Sequence, residues 1–232
     1  CRRGFPVTGS GAVDAVNALT TAPNGDFLVV GRLAGTMNLG GGNLTVLSTS
    51  RAFVARFDSA GQHVFSAVSG NSQTNAVDVG VDAAGNARVI VTGSSLTLGG
   101  VSASGGQSFL AHIGPTGTVS WIKAFPFVSS TIQARSDGTA VVGGYYTSAM
   151  NLGFGQVLGP GLKNALLVGL DAAATPLWAR SFGLAKDDYV TDVALDSTGH
   201  MIAGGRFEGT VDVGGASLSS STPNTFLVRY TP

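Results

Sequence analysis

Ala52-Phe53-Val54-Ala55-Arg56-Phe57 is the stretch that decides the fold, because it returns three times along the chain. It recurs as Ser108-Phe109-Leu110-Ala111-His112-Ile113, as Ala165-Leu166-Leu167-Val168-Gly169-Leu170 and as Thr225-Phe226-Leu227-Val228-Arg229-Tyr230. The spacing is about fifty-seven residues, which suits the longer propeller repeats and is too long for one coil of a β-helix. Six apolar, β-branched or aromatic residues in a row are too short for a helix that buries a face, so each copy reads as a strand.

The surroundings of that strand recur as well. Ahead of it lies a turn into a strand that ends in glycine: Gly25-Asp26-Phe27-Leu28-Val29-Val30-Gly31, then Gly85-Asn86 through Gly93, Asp137-Gly138 through Gly144, and Gly199-His200 through Gly205. Small turn residues followed by β-branched and aromatic ones predict a hairpin. Before each turn a further strand is expected, as in Val77-Asp78-Val79-Gly80-Val81 and Val190-Thr191-Asp192-Val193-Ala194-Leu195. Behind the apolar strand, turns such as Asp58-Ser59-Ala60-Gly61 and Gly114-Pro115-Thr116-Gly117 lead to an aromatic strand, Trp121-Ile122-Lys123-Ala124-Phe125 or Trp178-Ala179-Arg180-Ser181-Phe182. Each unit is a four-stranded meander.

Cys1-Arg2-Arg3-Gly4-Phe5-Pro6 matches Trp178 to Gly183, so the chain opens on a fourth strand, and Thr225 to Tyr230 is a third strand near its end. The expectation is one all-β domain over residues 1–232, a four-bladed β-propeller of antiparallel meanders. Its repeats run over about 8–70, 71–127, 128–184 and 185–232, with residues 1–7 closing the last blade. Such closure removes the open edge that invites aggregation. A piece of a larger ring and an open stack of repeats remain alternatives, although a stack needs no matched ends.

Composition agrees. The 232 residues include 35 glycines and 8 prolines, and Ser, Thr and Asn crowd the segments between apolar runs. Charged residues make up 11%, 13 of each sign, so no long-range field draws in nucleic acid or an anionic membrane. No apolar run is long enough to span a bilayer as a helix, and no basic start followed by an apolar stretch marks a signal peptide. The sole cysteine is Cys1, which excludes an intrachain disulfide and a cysteine metal cluster.

The repeats resemble the bacterial SBBP propeller repeat. The resemblance rests on Asp82-Ala83-Ala84-Gly85-Asn86, Asp196-Ser197-Thr198-Gly199, Ala52 to Arg56 and Trp178 to Gly183, and it covers essentially the whole chain. The third unit departs most, with Arg135-Ser136-Asp137-Gly138 in place of the Asp turn. The resemblance implies the propeller fold and an extracellular or cell-surface setting. It implies no particular activity, since a fold does not carry a function.

No catalytic signature is present: there is no Gly-x-Ser-x-Gly, His-Glu-x-x-His or phosphate loop. His63, His112 and His200 fall at non-equivalent places in different units, as structural histidines do. Asp58, Asp82, Asp171 and Asp196 open turns, where a carboxylate accepts backbone N–H bonds. Asp78 and Asp192 stand at one equivalent position on the strand expected to line a central channel. They are the metal candidates, for a cation or a fixed water, with Ala18 and Thr131 in the other two places. Asp14 matches Asp188, beside Asp187, on loops entering the first strand, where exposed loop capping is expected. Lys123, Arg180 and Arg3, like Arg56 and Arg229, are expected to cover apolar surface with their stems. Phe53, Phe109, Phe226, Trp121, Trp178, Phe125 and Phe182 are expected to pack between blades.

Cys1 is a lipidation candidate, because a bacterial lipoprotein begins its mature chain on a lipidated cysteine. The variable stretches Leu39 to Ser50, Leu98 to Gly106, Leu152 to Lys163 and Val213 to Pro223 are the expected binding loops. The chain therefore reads as a non-enzymatic, secreted or cell-envelope module without cofactor. It is expected to bind protein, glycan or identical subunits, and to meet a membrane only through a lipid on Cys1. A lectin-like propeller, or a piece of a larger propeller hydrolase or lyase, stays open as the alternative.

Overall fold

The computed structural model describes residues 7–8, 14–47, 49–157, 159, 162–183, 186–196, 198–215 and 217–230. Among them no helix occurs, every strand pairing is antiparallel, and no sheet closes into a barrel. The chain divides into two compact units, Cys1–Phe125 and Pro126–Pro232, so that each carries two of the four repeats.

In the first unit a two-residue strand, β1 (Val7–Thr8), leads into the first repeat. That repeat consists of β2 (Ala15–Thr21), β3 (Phe27–Leu33), the hairpin β4 (Thr36–Asn38) and β5 (Asn43–Thr45), then β6 (Arg51–Phe57) and β7 (His63–Val68). The main sheet runs β2-β3-β6-β7, and β1 adds to the hairpin in the order β1-β4-β5. The second repeat has the same plan. Strands β8 (Asn75–Val81) and β9 (Ala87–Thr92) precede the hairpin β10 (Ser95–Leu98) and β11 (Val101–Ser104), and β12 (Ser108–Ile113) and β13 (Val119–Phe125) follow.

The second unit opens with β14 (Val128–Ala134) and β15 (Ala140–Tyr146), a short hairpin of β16 (Met150–Asn151) and β17 (Gln156–Val157), then β18 (Asn164–Leu170) and β19 (Pro176–Phe182). Its second repeat differs, because β21 (Met201–Asp212) and β22 (Ser217–Tyr230) absorb the hairpin into two long strands beside β20 (Tyr189–Leu195). That sheet has three strands among the described residues. Of the segment expected to supply a fourth, residues 1–6 lie outside the described residues. Val7 and Thr8 pair with Met37 and Thr36 of β4.

In the first three meanders the third strand is covered on both faces; β6, β12 and β18 show almost no alternation between buried and open positions. In the first unit Leu28, Val30 and Val54 pack with Val89, Val91 and Phe109. In the second, Val141, Leu167 and Phe182 pack with Val190, Val193 and Phe226, the two phenyl rings meeting edge-on at 5.2 Å. Each such side chain stabilises the fold by about 1.5–3 kcal/mol on burial.

One irregularity recurs in all four repeats. The first strand is bulged, with the register slipping between Val16 and Ala18, Ala76 and Asp78, Ser129 and Thr131, and Val190 and Asp192. A bulge leaves one residue outside the ladder and re-aims it. Two of those residues reach the neighbouring sheet of their own unit: Asn17 Nδ2 donates to the Ala76 carbonyl at 2.7 Å, and Ser130 Oγ to the Val190 carbonyl at 2.5 Å. The bulge also brings a carbonyl so close to the second strand that a Cβ on Gly31, Gly144 or Gly205 would collide with the oxygen of Ala15, Val128 or Tyr189. Those glycines therefore lie inside strands rather than ending them. Val91 holds the matching place in the second repeat, and Gly93 falls beyond the end of β9.

Neighbouring repeats are also clasped by arginine. Arg56 is buried, pairs with Asp26 at 2.8 Å and donates from Nη1 to the Gly85 carbonyl at 2.6 Å. Arg135 Nη2 donates to the carbonyl of Gly199, the equivalent turn glycine of the second unit, at 3.1 Å. Arg56 is thus a buried ion-pair member and not a surface stem.

Candidate functional site

The turn aspartates hold backbone. Asp58 Oδ1 accepts from the N–H groups of Ala60 and Gln62, Asp171 Oδ1 from Ala173 and Thr175, and Asp196 Oδ1 from Thr198 and His200. Asp82 binds the Asn86 N–H and its side-chain amide. Asp78, in the first unit, and Asp192, in the second, each accept the N–H of the next residue at 2.8 Å. Thr131, the counterpart of Asp192 in the preceding repeat, donates its hydroxyl to Asp192 Oδ1 at 3.1 Å. Among the described residues no three His, Cys, Asp or Glu side chains gather as a metal group would. Cys1 and Arg3 lie outside the described residues.

The histidines stay apart in role. His112 stacks on Trp121 at 5.0 Å, and burial, with Arg88 nearby, holds its pKa below the ordinary value. His63 Nε2 meets Ser66 Oγ at 2.9 Å. His200 sits in the Asp196 turn, where Arg229 also joins the carboxylate at 3.3 Å. The phenylalanines expected in the core are buried, and the two tryptophans are half-buried.

The hairpins begin a few residues earlier than their sequence variability suggests, at Thr36, Ser95 and Met150. All leave the scaffold at the same point, between the second and third strands. At the foot of the third and fourth hairpins, within the second unit, the few charges of this chain collect around two tyrosines. Tyr145 is the last residue but one of β15, Lys163 follows the third hairpin, Lys186, Asp187 and Asp188 form the loop into β20, Tyr189 starts β20, and Arg206 and Glu208 lie on β21. The cluster includes two of the three lysines and the only glutamate.

Asp188 is the keystone. It is 0% exposed, its Oδ1 accepts the Glu208 N–H at 3.0 Å, and its own N–H donates to the Lys163 carbonyl at 2.9 Å. It therefore ties the loop to both hairpins. The first unit repeats half of this device, with Asp14 Oδ1 accepting the Ala34 N–H at 2.6 Å. Exposed capping was expected at these loops; Asp14 is exposed, but Asp188 is buried, and that burial pushes its carboxyl up, only partly offset by the Glu208 N–H, with neighbouring Asp187 and Glu208 pushing it further. Its Oδ2 has no hydrogen-bond partner.

Around it, Lys163 Nζ lies 3.6 Å from Asp187 and over both tyrosine rings, 5.1 Å from Tyr145 and 5.8 Å from Tyr189. Arg206 lies over Tyr189 at 5.9 Å. Sequence reasoning noticed Asp187 and Asp188 but not their partners, which are scattered over some sixty residues between Tyr145 and Glu208 and do not recur from repeat to repeat.

A second feature is a groove of about 650 Å³ beside β22, lined by Arg135, Leu177, Trp178, Arg180, Met201 and Tyr230. Arg180 lies over the Tyr230 ring at 4.5 Å, so its stem does cover aromatic surface. In the first repeat the counterpart of Trp178 is Phe65, and the turn leading into β13 covers it: a Cβ on Gly117 would press to 2.7 Å of that ring.

No protein-family model matches the chain, and no curated protein matches it. Among solved structures, the chain is similar to a protein of unknown function from Bacteroides caccae, at 11% identity over 82% of this chain and 70% of that one, with a TM-score of 0.40.

Proposed function

We propose that this chain is a non-enzymatic binding module of the bacterial cell surface or exterior, which displays variable hairpins on a rigid repeated scaffold. The observation that carries the reading is the contrast between the two. The four meanders share register, bulge and turn, whereas the hairpins rising from them differ in strand length and in sequence. Loops on a rigid scaffold are where binding residues concentrate. Identical subunits and glycans are both suitable ligands, and a lectin-like role is the second reading, favoured by the tyrosine and charge cluster. Screening the chain on a glycan array tests it, with a variant in which residues 210–219 of the fourth hairpin are replaced by residues 95–104. Loss of binding in a folded variant is expected; turnover of any bound glycan would overturn the non-enzymatic reading.

The scaffold itself we read as a four-bladed propeller of the SBBP type whose last blade takes residues 1–6 as its outer strand. Support comes from how chain enters the first repeat. After β7, Gly70 donates its N–H to the Thr97 carbonyl and Asn71 bonds Ser95, so chain leaving an outer strand runs beside the next hairpin. Val7 and Thr8 run beside β4 in the matching way. The groove at Trp178 and the three-stranded sheet at β22 supply the seat for such a strand. Cys1 in this reading starts that strand, with a lipid there as the membrane link; an intact mass showing a free cysteine amine in native material would remove the lipid.

A further inference from the structure

The ion pairs of the tyrosine cluster are long. Lys163 Nζ is 3.6 Å from Asp187, Lys186 Nζ 3.5 Å from Glu208, and Arg206 Nη2 4.0 Å from the other oxygen of Glu208. Charge-assisted bonds close at about 2.7–2.9 Å. These groups orient one another without saturating one another. At the surface three cations face two carboxylates, because Asp188 is buried beneath them with Oδ1 committed to the Glu208 N–H. Arg206 Nε is buried without a hydrogen-bond partner. Tyr145 and Tyr189 wall the same place, their rings 6.4 Å apart and inclined at 60°.

At its surface the cluster therefore presents three cations held only at long range by two carboxylates, which can also accept hydroxyls, and has aromatic walls. A run of acidic side chains would satisfy the cations only by crowding Asp187 and Glu208 with like charge. A sugar ring bearing a single carboxylate brings one anion and several hydroxyl donors. We propose that this cluster binds a uronic-acid unit of an acidic polysaccharide, its carboxylate held between Arg206 and Lys163 and its hydroxyls donating to Asp187 and Glu208. The inference rests on the reading of the chain as a binding module.

Polygalacturonate is the probe, dextran its uncharged control, and titration calorimetry the measurement. Binding to polygalacturonate alone is expected, weakening severalfold as salt is raised to about 0.5 M. Arg206→Ala and Lys163→Ala, with melting curves as for the parent, each lose about tenfold or more in affinity, since a hydrogen bond to a charged group is removed. Arg206→Lys keeps the charge without the planar fork and falls in between. Equal binding of the two polymers, no binding of either, or undiminished affinity in folded Arg206→Ala overturns the inference. A different glycan whose binding needs the exchanged hairpin but survives Arg206→Ala would overturn it too, while leaving the module reading intact.

Discussion

Asp188 shows how one residue can serve position at a cost in stability. Its carboxyl binds a proton more tightly in the folded chain than in the unfolded one, because burial disfavours the charge. Stability from this group is therefore greatest at low pH, falls as pH rises from the ordinary carboxylate value through the raised one, and stays low above it. Asp188→Asn keeps the acceptor for the Glu208 N–H and removes the charge. Thermal melts between pH 4 and 8 should show this contribution to the slope abolished, with a midpoint at neutral pH no lower than the parent's; an unchanged slope would mean that the carboxyl does not titrate in that window. Arg56 behaves oppositely. Its guanidinium holds Asp26 and the Gly85 carbonyl in the first unit, and the Asn24 side chain, followed by Arg56, keeps the Asp26 pKa low. Arg56→Met takes the ion partner from Asp26 and this donor from the Gly85 carbonyl and should cost about 3 kcal/mol in urea unfolding, as breaking buried pairs does.

At the scale of the element, the recurring bulge is the device by which β2 and β14 each reach the neighbouring sheet of their own unit. Gly205 sits where the bulge pushes the Tyr189 carbonyl and the Phe226 ring against the second strand. Gly205→Ala should destabilise by about 2 kcal/mol or more, by overpacking rather than by lost contacts. Ser130→Ala removes the hydroxyl's bonds to the Val190 and Gly143 carbonyls and should cost about 1 kcal/mol, read by the same denaturant midpoint. The strands themselves were legible, because Phe53, Phe109 and Phe226 recur in apolar runs that no helix could use. The bulge was not. Its extra residue is Asn17, Val77, Ser130 or Thr191, four side chains with nothing in common, since the requirement falls on backbone geometry and on the glycine opposite. The tyrosine cluster escaped notice for a related reason: Lys163 and Arg206 meet through Tyr189, and proximity made by sheet register leaves no local pattern.

For the whole molecule, equivalent positions in the four repeats should be equally buried if every sheet has neighbours on both faces. Val54, Leu110 and Leu167 are buried, yet their counterpart Leu227 is 77% exposed. On the first repeat Val16 and Leu19 are 61% and 70% exposed, while Ala76, Val79, Val190 and Val193 at the same places are buried. The four-bladed closure proposed above predicts that these positions are covered. Exposed side chains contribute within about 0.5 kcal/mol, whereas a covered leucine contributes about 1.5–3 kcal/mol. Leu227→Ser thus separates the cases: a loss of that larger size follows from closure, and a neutral result from an open face. Removing residues 1–6 while keeping Val7 and Thr8 on β4 tests the proposal that this segment supplies a fourth strand to the fourth sheet. If the proposal holds, the truncation should cost about 3 kcal/mol, lowering the midpoint by about 6–12 °C for a chain of this size. An unchanged midpoint would assign that edge of β22 to something other than the chain's own first residues.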